Sequence, residues 1–385
     1  MSFSHEAHVT GVGFHKFGRF PEKTLKQIAA DAALAALTDA GVSPDDIDAV
    51  ICANAYAGLL NGQESVRGQT WMRSIGFGGI PIINVENACA SGGTAVYIAT
   101  MSVRCGQFER VLVVGAEKMY SGDTSSAIAA LSTSSDIEFT QGIGMQFSAV
   151  DAIRLKKVMS EEGVETDALE WITAKSHSNG AQNPIAQFQK AITMQEVRDS
   201  RMIADPVRLY MCSAISDGAA ACIIEAEPRR RRARITGSAL ATAPVRARQG
   251  SQSTAARVAR ACYGQAGVSA AEIDFAEVHD AVSPIEMVYY RDLGFCAPGE
   301  VARFVADESP ALHGKVPFNP SGGINSRGHP VGATGIAQIC ELVLQLSGDA
   351  GTRQLSRARR GLALNAGGWM GEDPAVNAMH ILEAI

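Results

Sequence analysis

Short apolar runs alternate with longer Ala-rich segments along most of the chain. Three of the apolar runs have the length and composition of buried strands: Ile80–Val85, Val111–Val114 and Gly361–Leu364. Apolar residues at helical spacing are found over 24–39 and again over Ile336–Leu346. This succession of strands and helices predicts an α/β fold with a mostly parallel sheet.

The chain also contains an internal repeat. The sequence AGVS at 40–43 recurs at 266–269. Each copy follows an amphipathic helical pattern, over 24–39 and 253–265, and leads through an acidic turn into an apolar run. Gly41 and Gly267 stand where a helix C-cap favours left-handed backbone. We therefore expect two homologous α/β halves, with a polar stretch inserted over a site. The expected divisions are an N-terminal half over 1–120, an inserted loop domain over 121–205, a return to the first half with a connector over 206–234, and a C-terminal half over 235–385.

Composition narrows the classes of protein that fit. The chain has 385 residues and a formal net charge of −6, which argues against a nucleic-acid-binding protein. No apolar run approaches the roughly 18–20 residues that span a bilayer, and the N-terminus lacks a signal-peptide pattern. The eight cysteines form no C-x-x-C pair, so neither a metal site nor a redox motif is expected. Free thiols favour a reducing compartment, and the cytoplasm is the expected location.

Cys89 is the first candidate for chemistry. It lies between the apolar run Ile80–Val85 and a helical pattern over Thr94–Val103, within the sequence ENACASGG. A thiol on a strand-to-helix turn is near the positive end of the helix dipole and unpaired backbone N–H groups, which favour the thiolate. We therefore expect a nucleophile whose pKa is lowered. The alternative is a small buried hydrophobic residue.

Two histidines lie in comparable turns. His329 is in the Gly- and Pro-rich loop GHPVGATG, which precedes an apolar helix. His279 is in EVHDA, at the end of the strand that matches the first repeat. A histidine at either position can polarise a carbonyl oxygen or transfer a proton near neutral pH. A single histidine is more often structural, but together with Cys89 the two form a more specific set.

Several short stretches occur in the same order as in the thiolase superfamily, which the chain resembles. Within that superfamily it resembles the sterol-carrier-protein-type thiolases, also called thiolase-like lipid-transfer proteins. The resemblance covers essentially the whole chain. The matching stretches are Asn87–Gly92, His177–Pro184, Ser216–Ala221, Glu277–Ala281, Asn319–Gly323 and Gly328–Gly335.

The resemblance implies a fold, an activity and a set of roles. The fold would be two βαβαβαββ halves stacked in α-β-α-β-α layers with an inserted loop domain, assembled as a dimer. The substrates would be coenzyme A thioesters, with no other cofactor, and Cys89 would accept the acyl group. His329 and His279 would form one oxyanion hole, and the backbone N–H groups of Cys89 and Gly367 a second. His177 and Asn319, in two of the matching stretches, would contact substrate.

One position departs from the family pattern. Conventional thiolases carry a second cysteine, in a C-x-G motif, as acid and base. Here Asn365 occupies that position, and an amide cannot take up a proton at any useful pH. His329 and His279 are the remaining candidates for the base. Acyl transfer is therefore better supported than carbon–carbon bond chemistry.

Two other functions remain open at this point. Some thiolase-like proteins are retro-aldolases that act with a small partner, and their branch favours tyrosines where this chain has His279 and His329. The other hypothesis is a CoA-ester-binding or lipid-binding protein without catalytic activity, and Asn365 alone supports it. A separate OB-fold partner is neither required nor excluded.

The acyl pocket is expected within the inserted stretch. Small and flexible apolar residues at 142–147, above all Met145 and Phe147, suit a pocket wall in a segment that covers the site. The alternative is a loop that packs only on itself or on a second subunit.

Overall fold

The structure is a computed structural model, and it describes residues 5–140, 143–144, 146–227, 232–245 and 252–385. The strands are β1 (His8–Gly18), β2 (Ala49–Ala53), β3 (Ile82–Val85), β4 (Arg110–Lys118), β5 (Met202–Ala204), β6 (Val207–Arg208), β7 (Asp217–Glu225), β8 (Ala233–Thr242), β9 (Phe275–Glu277), β10 (Arg360–Gly367) and β11 (Val376–Ala384). The helices are α1 (Leu25–Ala40), α2 (Ala57–Asn61), α3 (Arg67–Met72), α4 (Ser91–Arg104), α5 (Ser125–Ser132), α6 (Ile137–Thr140), α7 (Phe147–Glu162), α8 (Thr166–Ala181), α9 (Met194–Asp199), α10 (Thr254–Ala266), α11 (Glu286–Asp292), α12 (Val301–Ala306), α13 (Gly323–Arg327) and α14 (Thr334–Ser347).

Nine of the described strands form one sheet, in the order β3-β2-β4-β7-β1-β8-β11-β10-β9. The first five belong to one half and the last four to the other. The halves join where β1 pairs with β8 over only two residue pairs, His8 with Arg234 and Val9 with Ala233. The prediction of a mostly parallel sheet is wrong. Among the described strands of this sheet, only β2·β3, β2·β4 and β9·β10 are parallel. The other five pairs are antiparallel, because β7 and β11 lie antiparallel to both of their neighbours and β1 lies antiparallel to β8.

The helices divide the molecule into layers. On the first half, α1 packs against β1, β4 and β7, and on the second half α10 packs against β8 and β11. Between the halves, α4 contacts β4, β8 and β11, while α14 contacts β7 and β10. Because α14 faces apolar side chains of both halves, nearly all of its residues are buried. This arrangement is the layered α/β architecture expected from the resemblance.

The internal repeat is visible in the backbone. Gly41 ends α1 and Gly267 ends α10, each at φ 68° in the left-handed region, so both predicted C-caps are confirmed. A short 3-10 turn follows each helix, and in each turn the serine and the acidic residue three positions later form a capping box. The two copies therefore share local structure as well as sequence.

Among its described residues, the second half has no full counterpart of β3. In its place the chain makes a single parallel bridge between Ala276 and Phe318. Pro317 has no N–H to donate, and Asn319 adopts φ 52°, so the segment cannot continue as a strand. The first half is therefore βαβαβαββ, and the second has the same order with its third strand reduced to one bridge.

The segment between β4 and β7 is mainly helical. It contains α5 to α9 and the hairpin of β5 and β6. None of the described helices has both the length and the apolar character needed to cross a membrane.

Candidate active site

Cys89 lies on the short 3-10 turn that joins β3 to α4. Ala88 adopts φ 49°, a left-handed conformation that costs a non-glycine residue about 1 kcal/mol or more. The Ser91 hydroxyl stabilises this turn, since Oγ donates to the Ala88 carbonyl at 2.6 Å and accepts from the Asn87 N–H at 2.8 Å. The strained turn directs the Cys89 side chain into a large cavity.

The pKa of Cys89 is raised to about 12, mainly because the thiol is buried. The backbone N–H groups of Gly368 and of Cys89 itself act in the opposite direction, while the charge of Glu117 adds to the increase. The expectation of a lowered pKa is therefore wrong, because desolvation outweighs the donors at the turn. Cys89 is a neutral thiol in the free protein.

His279 and His329 face Cys89 from the second half. His279 follows β9, and His329 lies between α13 and α14. Their ring centroids are 5.3 Å apart, and the Cys89 sulfur and one nitrogen of each ring all lie within 4.8 Å of one another. Burial lowers the pKa of His329 to about 3 and that of His279 well below its ordinary value, so both rings are neutral. The structure thus brings the three predicted catalytic residues together.

Asn365 lies on β10 beside His279 and is 1% exposed. Its Oδ1 accepts from the Gly93 N–H at 3.0 Å, and its Nδ2 is 3.4 Å from Nδ1 of His279. Gly367, on the same strand, lines the cavity. The backbone N–H of the next residue, Gly368, contacts the thiol.

Two buried carboxylates support these loops. Glu117, at the end of β4, accepts from the N–H groups of Ala55, Tyr56 and Gly332, and thereby ties the first half to the loop of His329. Glu277, at the end of β9, accepts from Ser321. Burial raises the pKa of each carboxyl to about 7. Sequence reasoning did not identify Glu117 as a functional residue, although an acid in the apolar run VLVVGAE was a usable signal.

The cavity has a volume of about 920 Å³, which suits a ligand larger than an acetyl group. Phe147 and His177, the two described residues among the expected substrate contacts that reach it, line this cavity. Asp151 and Arg154 also line it and form an ion pair at 3.1 Å, which sequence reasoning missed. Met145 lies outside the described residues.

Asn319 differs from the expectation. It is fully buried and is absent from the described cavity wall. Its Oδ1 accepts from the Val278 N–H at 2.7 Å, and its Nδ2 donates to Glu286 at 2.8 Å. Asn319 therefore holds the strand end that precedes His279 rather than contacting a ligand.

Comparison with known proteins identifies the family. Residues 6–228 match the thiolase N-terminal domain, and residues 237–383 match the thiolase C-terminal domain-like family. The chain belongs to the thiolase family. It is 37% identical to an acetyl-CoA acetyltransferase of Methanothermobacter thermautotrophicus, over 94% of this chain and 96% of the relative. It is 32% identical to sterol carrier protein 2 of Gallus gallus, over 93% of this chain and 69% of the relative.

Solved structures share the fold. The Ltp2-ChsH2(DUF35) aldolase has a TM-score of 0.80 at 24% identity and covers 98% of both chains. Human mitochondrial 3-ketoacyl-CoA thiolase in complex with CoA has a TM-score of 0.76 at 17% identity, covering 100% of this chain and 99% of that chain. These likenesses establish the thiolase fold.

Proposed function

We propose that this protein is a thiolase-type acyl-CoA acyltransferase that works through an acyl-enzyme on Cys89. It would cleave 3-oxoacyl-CoA with CoA or catalyse the reverse Claisen condensation. The observation that carries the proposal is the convergence of the Cys89 sulfur with one nitrogen each of His279 and His329, within 4.8 Å, on the wall of a 920 Å³ cavity. The acetyl-CoA acetyltransferase relative supports the same class of reaction.

In the first half-reaction, the thiol proton passes from Cys89 to His329 as the sulfur attacks the thioester carbonyl. The new C–S bond replaces the bond to CoA, and the departing CoA thiolate takes the proton. Because Cys89 has a pKa of about 12 and His329 one of about 3, a free ion pair is unfavourable, and proton transfer accompanies attack. The N–H groups of Cys89 and Gly368 or Gly367 stabilise the oxyanion, and one such donor contributes roughly 100- to 1,000-fold in rate.

In the second half-reaction of the condensation, a second acyl-CoA loses an α-proton to a base. The resulting enolate carbon attacks the acyl group, the C–Sγ bond breaks, and Cys89 recovers a proton. His279 donates to the thioester oxygen on which the enolate charge develops.

Coenzyme A has anionic phosphates that require cations at the cavity entrance. Arg19, Lys190 and Arg201 line the cavity and are exposed. Lys190 is paired with Glu196 only across 3.7 Å at the surface. These three side chains are the proposed phosphate contacts.

Phe147 and His177 are the proposed acyl or pantetheine contacts in the inserted loop domain (121–205). Phe147 is half-buried at the start of α7, and His177 is buried between the rings of Phe188 and Tyr210, with centroids 5.8 and 6.3 Å away. Met145 is retained as a proposed pocket residue on its sequence position. Truncating Phe147 to Ala should shift the preferred chain length toward longer acyl groups.

A homodimer is proposed through β3. This strand is at the edge of the described sheet, and Ile83 on it is 37% exposed. An exposed apolar edge strand readily pairs with another chain. Light scattering of the purified chain tests the dimer.

A small partner protein of OB-fold type is a further proposal, prompted by the DUF35 protein in the aldolase complex. The eight free cysteines support a cytoplasmic location.

The reaction class is tested by incubating the protein with 3-oxoacyl-CoA esters of several chain lengths, with and without CoA. Thiolysis gives two acyl-CoA products and requires CoA, because the CoA sulfur attacks the acyl group on Cys89 and leaves with it as the second thioester. Cleavage of the matching 3-hydroxyacyl-CoA esters in the absence of CoA, with an aldehyde or ketone released, would instead establish a retro-aldol lyase. Binding without any turnover would establish a CoA-ester-binding protein.

A further inference from the structure

The amide of Asn365 has only one orientation compatible with its surroundings. The atom near Gly93 faces a backbone N–H at 3.0 Å, which can only donate, so that atom is the oxygen Oδ1. A Cβ on Gly335 would be 2.2 Å from the same oxygen, which places Oδ1 between the first turns of α4 and α14. Helix N-termini favour an acceptor there. The amide nitrogen Nδ2 must therefore face His279.

This orientation determines where His279 carries its proton. Nδ2 of Asn365 can only donate, and it is 3.4 Å from Nδ1 of His279. Nδ1 is thus the acceptor nitrogen of a neutral ring, and the proton is on Nε2. Since burial keeps the pKa of His279 well below its ordinary value, the ring does not gain a second proton near neutral pH.

His329 is held in the opposite way. Its Nδ1 is 2.8 Å from Oγ1 of Thr334, and the same hydroxyl is 3.3 Å from the Pro330 carbonyl. A carbonyl can only accept, so the hydroxyl donates to Pro330 and accepts from Nδ1–H of His329. Nε2 of His329 then carries a lone pair, and it has no hydrogen-bond partner among the described residues.

We propose that Asn365 and Thr334 are positioning residues that hold the two histidines in opposite tautomers, so that His279 serves only as a donor and His329 is the only base. The family position of the second cysteine is then occupied by a residue that fixes a donor rather than one that moves a proton. His329 takes the thiol proton in the first half-reaction and the α-proton in the second, and returns them to the CoA thiolate and to Cys89 respectively. The kinetic part of this inference rests on the proposed function, whereas the assignment of the protons does not.

Neutron diffraction from a deuterium-exchanged crystal near pH 8 tests the assignment directly. We expect deuterium on Nε2 and none on Nδ1 of His279, and the reverse on His329. Deuterium on Nδ1 of His279 or on Nε2 of His329 in the wild-type protein would overturn the proposal, whatever the activity.

The variant Asn365→Asp tests the consequence for the reaction. A carboxylate accepts from Nδ1–H of His279 and so moves the ring's proton away from Nε2. Without that donor we expect the rate of acetyl transfer to fall by roughly 100- to 1,000-fold. The neutron map of the variant should show deuterium on Nδ1, a change that mere loosening of the fold would not produce. Transfer within threefold of wild type would contradict the proposal.

Asn183→Asp is the matched control for burying a carboxylate. Asn183 is 1% exposed, its Oδ1 accepts from the Ile185 N–H, and its Nδ2 donates to the Ser321 carbonyl. We expect it to lower stability and to leave the tautomers unchanged; a loss of transfer equal to that of Asn365→Asp would contradict the proposal.

Thr334 provides an independent arm. Thr334→Val removes the acceptor of Nδ1–H and should lower acetyl transfer at least tenfold, whereas Thr334→Ser keeps the hydroxyl and should restore most of it. Equal losses in the two variants would contradict the role of the hydroxyl. If the neutron map shows the two tautomers but wild type transfers no acyl group, the proposed function fails and the tautomer assignment stands.

Discussion

The two halves of the molecule share a frame and differ in what they contribute. In both halves a strand, a helix and a second strand are followed by a buried helix and a final antiparallel pair of strands. The connection within that final pair differs in length: residues 119–216 separate β4 from β7, whereas only 368–375 separate β10 from β11. The first half supplies Cys89, on the turn before α4. The second half supplies His279, His329 and Asn365. The symmetric frame brings the first turns of α4 and α14 together, and asymmetric residues at that junction create the site.

The largest effect is expected from removing the contribution of the first half. Cys89→Ala leaves no sulfur to carry the acyl group, so acyl transfer should fall by at least about 10⁴-fold in kcat/KM. Steady-state thiolysis of acetoacetyl-CoA measures this. Residual activity near the wild-type level would mean that the acyl group does not pass through Cys89.

Removing the base from the second half should have the next largest effect. His329→Ala is expected to lower kcat/KM by roughly 10²- to 10⁴-fold, because proton transfer from the thiol then lacks an acceptor. His380→Ala is the matched control. His380 is a buried histidine that bonds to Ser238 and to the Gly93 carbonyl, and a loss below tenfold is expected. Similar losses in both variants would indicate a general effect of removing buried imidazole.

The pH dependence of thiol alkylation distinguishes the lowered pKa of Cys89 expected from the sequence from the raised pKa that the structure gives. With a raised pKa of about 12, the thiolate fraction of Cys89 increases tenfold per pH unit and remains a minority form up to pH 10. The rate of iodoacetamide modification at Cys89, followed by peptide mass spectrometry, should therefore rise without a plateau from pH 6 to 10. A plateau near pH 7 would restore the low-pKa nucleophile predicted from the sequence.

Replacing a glycine by alanine should lower the unfolding free energy in the buried helix α14 and raise it in the outer helix α10. In Gly335→Ala the new Cβ would be 2.2 Å from Oδ1 of Asn365 and from the Gly93 N atom, and we expect a loss of about 1–3 kcal/mol in unfolding free energy. Gly264, on the outer helix α10, has open space, so Gly264→Ala should gain about 0.5–1 kcal/mol. Urea denaturation measures both. A stable Gly335→Ala would mean that α4 and α14 do not need to approach this closely.

Much of the fold could be predicted because local signals agreed with the tertiary structure. The segments 24–39 and 253–265 are helices shifted by one residue, and the capping glycines are where the repeat placed them. Strand direction could not be predicted in the same way. It depends on which neighbours a strand finds, and β7 returns to the sheet only after the long helical segment.

The site was predicted in part for a similar reason. Cys89, His279 and His329 stand on turns with recognisable sequence, and the fold brings them together. The pKa of Cys89 was predicted in the wrong direction, because burial depends on the packing of both halves and the sequence shows only the helix terminus. The supporting roles of Glu117 and Asn319 depend on long-range hydrogen bonds that no local pattern indicates.

Intact-mass spectrometry after incubation with a panel of acyl-CoA esters is the most direct test of the central claim. The proposed mechanism predicts a mass gain equal to the acyl group in the wild-type protein and none in Cys89→Ala, with occupancy ranking the acyl chains. An adduct that persists in Cys89→Ala, or the absence of an adduct with every ester, would contradict an acyl-enzyme on Cys89.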